Sequence, residues 1–138
     1  MAYWLLKTEP ESWSWEQQNK AGAKGEPWTG VRNAAAAKNM RAMKKGDLAF
    51  FYHTGGEKAV VGVVKIATDP YPDPEDGAWP LVDVAAVETL PKPVTLAAVK
   101  AEPKLDKMTL VRNARLSVQP VSEVEWKLVR RMGGLKDK

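Results

Sequence analysis

The chain has 138 residues, of which 44% are hydrophobic and 28% are charged. This length suits one core, so we expect residues 1–138 to form a single domain. No apolar run approaches the roughly 20 residues that a membrane helix needs, so we expect a soluble protein with no membrane partner. The absence of cysteine excludes disulfides and thiolate chemistry and fits a cytoplasmic location.

The net charge of +4 and the isoelectric point near 9.3 favour anionic partners. Basic residues gather in the stretch 32–45, in the stretch 112–115 and at the C-terminus, which includes Lys138, whereas acidic residues gather at 69–76. This uneven distribution is typical of a surface that binds a phosphate backbone. The predicted backbone contacts are Lys38, Arg41, Arg112 and Arg115.

Local signals predict the first two elements. Residues 3–8 (YWLLKT) are typical of a strand that enters the core, and the following Glu9-Pro10 ends it because a residue before proline prefers extended geometry. Ser14 and Gln17 have the spacing of a capping box, which predicts a helix from residue 15 to about residue 20.

A basic helix is predicted between Arg32 and Lys45. This stretch contains five basic residues and no acid, and its apolar residues recur at helical spacing. Asn33 is the expected N-cap, and Gly46 should end the helix. The cationic face is either a phosphate-binding surface or an ordinary solvated surface.

Two core strands follow the basic helix. Residues 48–53 (LAFFYH) and 59–66 (AVVGVVKI) are apolar on both faces, which predicts burial on both sides. Gly62 interrupts the second strand. A glycine there indicates a bulge, or a place where a ligand or another backbone comes close.

The prolines of residues 68–74 predict a stiff, exposed loop that presents Tyr71. A long apolar strand at 79–90 follows, and we expect Pro91 and Pro93 to end it. Asp83 is embedded in this strand and needs a partner if it is buried.

The last third is predicted to contain short helical segments at 95–101 and 106–111, then a strand at 115–121. In that strand Gln119 alternates onto an outward polar face that is available to a ligand. Ser122 and Glu125 form a second capping box, which predicts a final helix that ends at residues 133–134.

The residue types present exclude several kinds of chemistry. His53 is the only histidine, so histidine metal clusters and most Ser-His catalytic arrangements are excluded. The sequence has no Walker loop and no GxGxxG motif, so we expect no nucleotide cofactor of those kinds and no metal. A single histidine at a strand end is more often structural than catalytic.

Trp28 has two possible roles. It lies between a polar loop and a glycine turn, where its ring is either a core residue or a platform on which a base stacks. We expect the platform. On that interpretation, replacing Trp28 should change the melting temperature little.

Several motifs, in this order, resemble the EVE domain family of the PUA-like superfamily. They are YWLLKTEP, WTGVRN, GDLAFFYH, YPDP, VDV and LVRNARLSVQPVSEVEW, and the resemblance covers residues 2 to about 132. It implies an α+β fold, a PUA-like pseudo-barrel of five or six mostly antiparallel strands surrounded by short helices. This fold is similar to that of the YTH domains, which bind methylated adenine in RNA.

The resemblance also implies a function. Family members are thought to bind modified bases, so the expected partner is DNA or RNA with a methylated or hydroxymethylated base flipped into an aromatic pocket, with a monomeric protein as reader and no catalysis. The residues implied in ligand binding are Lys7, Thr8, Glu9, Trp28, Arg32, Asn33, Tyr52, His53 and Tyr71.

Two alternatives remain at this point. Related PUA-like families include amidohydrolases that act on modified nucleosides, and Lys7, Thr8 and Glu9 are the residue types that such an enzyme needs. Neighbouring residues on a strand face opposite ways, so Lys7 and Thr8 would converge only at a local bend. The second alternative is a protein-interaction module whose basic face only keeps it soluble.

Overall fold

The structure is a computed structural model that describes residues 1–136. Lys138, which belongs to the basic C-terminus, lies outside the described residues. The strands are β1 (Tyr3–Thr8), β2 (Glu26–Pro27), β3 (Leu48–His53), β4 (Ala59–Ile66), β5 (Tyr71–Pro72), β6 (Pro80–Leu81), β7 (Asp83–Thr95) and β8 (Val118–Val121). The α-helices are α1 (Trp15–Ala21), α2 (Ala34–Arg41), α3 (Leu96–Ala101), α4 (Thr109–Arg112) and α5 (Glu123–Met132).

Six strands form one sheet in the order β2-β7-β4-β3-β1-β8, and β5 pairs with β6 separately. The pair β1–β3 is parallel, and the other neighbours are antiparallel. The prediction of an α+β fold with five or six mostly antiparallel strands and short helices is confirmed. The described helices include none that is long and apolar enough to cross a membrane.

Both faces of the sheet are covered, because successive side chains of a strand point to opposite faces. Leu6 and Phe51 belong to the core cluster that includes Met40 of α2. Leu5 and Phe50 belong to the opposite cluster, together with the helix residue Trp126. The predicted burial of the central strands on both sides is confirmed.

The helix starts agree with the sequence. The side chains of Ser14 and Ser122 each cap a helix in a complete capping box, and Asn33 caps α2. The basic helix is shorter than predicted and ends at Arg41. The buried Asp47 explains this, because its carboxylate accepts from the backbone N–H of Lys44 and from the indole of Trp4, both at 3.0 Å, and so holds a turn there.

The long strand β7 does not end at its prolines. It continues to Thr95, so the prediction that Pro91 and Pro93 terminate it is wrong. Val60 pairs with Val94 and Gly62 pairs with Thr89, so the residues between them on β7 form an extended bulge. Proline is tolerated there because the ladder needs no N–H at those positions.

Asp83 is half-buried and has a hydrogen-bond partner. The hydroxyl of Tyr71 donates to its carboxylate, so Tyr71 is tied to β7 rather than simply presented to solvent. Burial and this acceptor raise the pKa of Tyr71 to about 12. At neutral pH the hydroxyl is therefore a permanent donor.

The strand predicted at 115–121 is also shorter, and its polar face is not free. Gln119 is fully buried, which contradicts the outward orientation predicted for it. Its amide donates to the carbonyls of Asn113 (3.1 Å) and Leu116 (2.8 Å). The side chain therefore holds the preceding loop in place and is not available to a ligand.

Candidate nucleic-acid interface

A cavity of about 390 Å³ lies where the end of β1 meets the chain on both sides of Trp28. This volume falls in the range of small-ligand sites. Its lining residues are Lys7, Thr8, Ser12, Trp13, Glu26, Pro27, Trp28 and Thr29.

Trp13 forms one wall because a tight turn returns the chain over the end of β1. The carbonyl of Glu9 accepts from the backbone N–H groups of Ser12 (2.9 Å) and Trp13 (3.0 Å), and the Thr8 hydroxyl donates to the Trp13 carbonyl (3.0 Å). The Trp13 indole N–H donates to the buried Gln18 at 2.8 Å. The ring is therefore fixed while it remains only half-buried.

Trp28 forms another wall, and it is also a core residue. Its side chain belongs to a core cluster with only 7% of the residue exposed, and its ring meets Phe51 edge-on at 5.5 Å between centroids. Its backbone N–H donates to Val82 at 2.8 Å. The premise that this ring does not help to close the core is therefore wrong, and we now expect its removal to destabilise the fold.

Lys7 lies at the edge of the cavity. Its ammonium group donates to the carbonyl of Ala114 at 2.6 Å and lies 5.6 Å from the ring centroid of Tyr52. Burial lowers the pKa of Lys7, and the nearby charge of Lys58 lowers it further. Lys7 and Thr8 do line one cavity, although they are neighbours on a strand.

Three predicted ligand residues lie outside this cavity and already have partners. Asn33 accepts from the backbone N–H of Ala36 at 3.0 Å, and Arg32 forms a 3.0 Å ion pair with Asp73. Tyr71, bonded to β7, lines a separate cavity of about 210 Å³. These side chains are thus committed to the fold.

His53 also has a structural role. Its Nε2 accepts from the backbone N–H of Trp15 at 3.0 Å, at the start of α1, and its ring lies 5.6 Å from that of Phe51. Burial lowers the pKa of His53, which favours the neutral ring that this bond requires. Tyr52 and Glu9 line a second cavity instead of the first.

The predicted backbone contacts fall in two places. Lys38 and Arg41 are exposed on α2, where Arg41 donates to the carbonyl of Ala78 at 2.8 Å. Arg112 and Arg115 are exposed in the segment that contains the Lys7 acceptor Ala114. The four predicted backbone contacts therefore lie on α2 and on the segment from the end of α4 to β8.

Sequence reasoning missed Ser12, Trp13, Glu26, Pro27 and Thr29. One signal for Trp13 was present: it precedes the N-cap Ser14, so it stands off the helix among polar neighbours. Ser12 lies in the turn after β1, where its backbone N–H donates to the Glu9 carbonyl. Glu26, Pro27 and Thr29 depend on β2, a strand of two residues that pairs with β7 far along the chain. No periodicity can reveal so short a strand.

The predicted irregularity at Gly62 is present. The register of β4 shifts on both sides of it, which confirms the bulge. The group that comes close is a side chain of the protein itself. A Cβ at Gly62 would lie 2.5 Å from the ring of Trp15, whose indole N–H donates to Thr89 at 3.0 Å.

Comparison with known proteins is consistent with the sequence resemblance. The model of the EVE domain matches residues 2–132. Thymocyte nuclear protein 1 of Mus musculus is 32% identical over 161 residues, which cover 92% of this chain and 71% of that protein. The Gallus gallus protein of the same name is 33% identical, with coverage of 92% and 66%.

Solved structures match over nearly the whole chain. Rpa0253 from Rhodopseudomonas palustris is 54% identical with a TM-score of 0.95, covering 100% of this chain and 97% of that one. Human THYN1, solved in complex with DNA containing 5-methylcytosine, is 29% identical with a TM-score of 0.89, covering 99% and 100%. The predicted PUA-like architecture agrees with these neighbours.

Proposed function

Since this chain belongs to the EVE domain family, we propose that it binds DNA that carries a modified base, and that the base is flipped into the cavity between Trp13 and Trp28. The observation that carries this proposal is the cavity itself, which has a half-buried aromatic wall, a rigid second wall and polar side chains around them. The human relative bound to methylcytosine DNA supports the choice of partner.

Trp13 is the proposed stacking platform. Stacking of a base on an aromatic face contributes roughly 1 to 3 kcal/mol, and the hydrogen bond to Gln18 fixes the ring before the ligand arrives. Trp28, locked against Phe51, limits the depth of the cavity. Because both walls are already ordered, little conformational entropy is lost on binding.

The polar lining suits a base with an exocyclic amine. Within residues 1–136 the side chains of Ser12, Glu26 and Thr29 have no hydrogen-bond partner, so they remain available to a ligand. A carboxylate accepts from the N4 amine of cytosine. We therefore assign Glu26 to the amine edge and the two hydroxyls to the remaining polar atoms.

The difference in affinity between methylated and unmodified cytosine should be modest. Pro27 and the ring of Trp28 supply apolar surface in the lining. A buried methyl is worth about 0.8 kcal/mol, which corresponds to a roughly four-fold difference in affinity. A hydroxymethyl group would gain more only where a neighbouring side chain completes its hydrogen bond.

We further propose that residues 1–138 act as one domain and as a monomer, because one chain supplies every wall of the cavity. RNA remains an alternative polymer. The relatives carry "nuclear" in their name, so the cytoplasmic location is not confirmed and stays a prediction.

The test is a set of matched oligonucleotides with cytosine, 5-methylcytosine or 5-hydroxymethylcytosine, as duplex DNA, single-stranded DNA and RNA, titrated by fluorescence anisotropy. Trp13→Ala should weaken binding to the 5-methylcytosine duplex by about five-fold to 150-fold, whereas Trp13→Phe keeps a stacking face and should bind detectably. A 2-aminopurine next to the modified base should brighten on binding. Parental affinity in a folded Trp13→Ala variant would refute the site.

The hydrolase is retained as a second candidate because Lys7, with its lowered pKa, borders the same cavity as Thr8. The bonding argues against it: the Thr8 hydroxyl donates its proton to the Trp13 carbonyl rather than to Lys7. Acylated and alkylated nucleosides test it directly. Multiple turnover that disappears in Lys7→Ala would establish the enzyme, whereas weak binding that ignores modification would favour an interaction module.

A further inference from the structure

A second cavity, of about 280 Å³, shares Lys7 with the first. It is walled by the ends of β1 and β3, by the start of β4 and by the helical segments that follow β7. Its lining residues are Lys7, Glu9, Tyr52, Thr54, Lys58, Leu96, Leu110 and Ala114. The family resemblance placed some of these residues in the base pocket, but the structure gives them a space of their own.

The cavity brings two positive charges together without neutralising them. Lys7 and Lys58 both line it, and the proximity of Lys58 contributes to the lowered pKa of Lys7. Within residues 1–136 neither lysine forms an ion pair. Glu9 is exposed at the rim and is likewise unpaired. Two like charges held close repel each other, and a bound anion would remove that cost.

A hydroxyl donor faces the same space. Tyr52 is only 2% exposed, lines the cavity, and has no hydrogen bond for its hydroxyl within the described part of the chain. A hydroxyl that opens onto a cavity and has no partner in the protein is free to donate to a ligand. Burial raises the pKa of Tyr52, so the hydroxyl stays protonated and can donate.

We propose that this second cavity binds a phosphate group of the ligand whose base occupies the first cavity, with Lys7, Lys58 and the Tyr52 hydroxyl as donors. The proposal rests on the proposed function and adds a distinct subsite to it. Lys7 links the two sites because it borders both cavities. Arg112 and Arg115 lie in the segment that walls the phosphate site and extend its positive field.

The segment that carries these arginines is held by a buried side chain. The Gln119 amide bonds the carbonyls of Asn113 and Leu116, which flank Ala114. Ala114 in turn accepts from Lys7 at 2.6 Å. The carbonyl that binds the ammonium group is therefore held by hydrogen bonds to the residues on both sides of it.

The experiment compares Lys58→Gln with Lys65→Gln as a matched control. Lys65 is an exposed lysine on β4, seven residues after Lys58, which is roughly 23 Å in an extended chain. With a 5-methylcytosine oligonucleotide, loss of one phosphate contact should lower the slope of log K against log salt by roughly 0.7 to 0.9. If the parent and the variant bind equally at about 1 M salt, this change in slope makes the variant bind about four-fold to six-fold more weakly at about 0.15 M salt.

Two further variants sharpen the test. Tyr52→Phe should weaken binding without changing the salt slope, because a neutral donor is lost. Glu9→Gln should tighten binding, because it removes a negative charge at the rim. Equal slopes for Lys58→Gln, Lys65→Gln and the parent, together with no effect of Glu9→Gln, would overturn the proposal.

The source of the phosphate is read from small probes. Tighter binding of 5-methyldeoxycytidine monophosphate than of 5-methyldeoxycytidine, lost in Lys58→Gln, identifies a mononucleotide phosphate. If Lys58→Gln weakens binding of the oligonucleotide but not of the mononucleotide, the phosphate belongs to the polymer backbone. If only the base site is wrong, Trp13→Ala binds as tightly as the parent, while Lys58→Gln still lowers the salt slope. If only the phosphate site is wrong, Trp13→Ala weakens binding, while Lys58→Gln leaves the salt slope unchanged.

Discussion

Replacement of Gly62 by alanine tests how closely helix α1 packs against the sheet. The new Cβ would lie 2.5 to 2.6 Å from three atoms of the Trp15 indole, much closer than packed carbon atoms approach. Trp15 cannot easily retreat, because its indole N–H is bonded to Thr89, its backbone N–H is bonded to His53, and its ring packs against Phe51 at 5.1 Å.

The expected cost is that of overpacking, about 1 to 3 kcal/mol of unfolding free energy. It opposes the gain of about 0.4 to 1 kcal/mol that a glycine-to-alanine change gives where the backbone and the space allow it. For 138 residues, the average unfolding entropy converts 1 kcal/mol into roughly 3.5 °C of melting temperature. After that gain is subtracted, Gly62→Ala should lose up to about 2.6 kcal/mol and melt as much as about 9 °C below the parent.

Gly77→Ala is the matched control. A Cβ at Gly77 meets nothing closer than 4.0 Å, and its φ is not in the left-handed region. This variant should melt at or slightly above the parental temperature. Calorimetry on both variants, and on Gly62→Ala combined with Trp15→Phe, measures the coupling, since contacting residues are not additive. A Gly62→Ala protein as stable as Gly77→Ala, or full additivity with Trp15→Phe, would refute the packing argument.

Three further predictions concern stability and charge. Trp28→Ala should lose about 3 to 5 kcal/mol of unfolding free energy, measured by urea denaturation, because the ring closes the core. Because burial lowers the pKa of His53, the unfolded chain binds a proton at this residue more readily than the folded protein does. The unfolding free energy should therefore fall as the pH drops below about 6.5 and become constant below the pKa of the folded state. His53→Gln keeps an acceptor for the Trp15 backbone N–H and should lose this pH dependence between pH 5 and 8. Charge reversal of Lys38 and Arg41 should weaken all oligonucleotides alike and reduce the salt slope by roughly 0.7 to 0.9 per lost contact, whereas an unchanged slope would make α2 an ordinary solvated surface.

The elements that sequence reasoning placed well depend on neighbouring residues. The capping boxes at Ser14 and Ser122 and the N-cap at Asn33 need only a spacing of three residues and a hydroxyl or amide. The central strands, from 48–53 and 59–66, need only a continuous apolar run. For these elements, all the residues that determine the structure lie within the segment itself.

The errors share a different cause, because each concerns a contact made across the fold. Pro91 and Pro93 are accommodated by a bulge opposite β4, and Gln119 is buried because the loop before it needs two donors. Neither fact can be read from alternation, since both depend on a partner remote in the chain. A proline in a strand predicts an irregular ladder, and a buried glutamine predicts hydrogen-bond partners. Only the tertiary structure shows where the irregularity and the partners are.

The same distinction explains why the binding residues were harder to predict than the fold. Trp13 becomes a wall only because the Glu9 carbonyl turns the chain back, and Glu26 reaches the cavity only because two residues pair with β7. Lys7, by contrast, was predicted for the base pocket but borders two cavities. If base and phosphate do occupy those two spaces, a single lysine couples them, and Lys7→Ala should impair both the stacking and the salt-dependent parts of binding, whereas Trp13→Ala should impair the first alone.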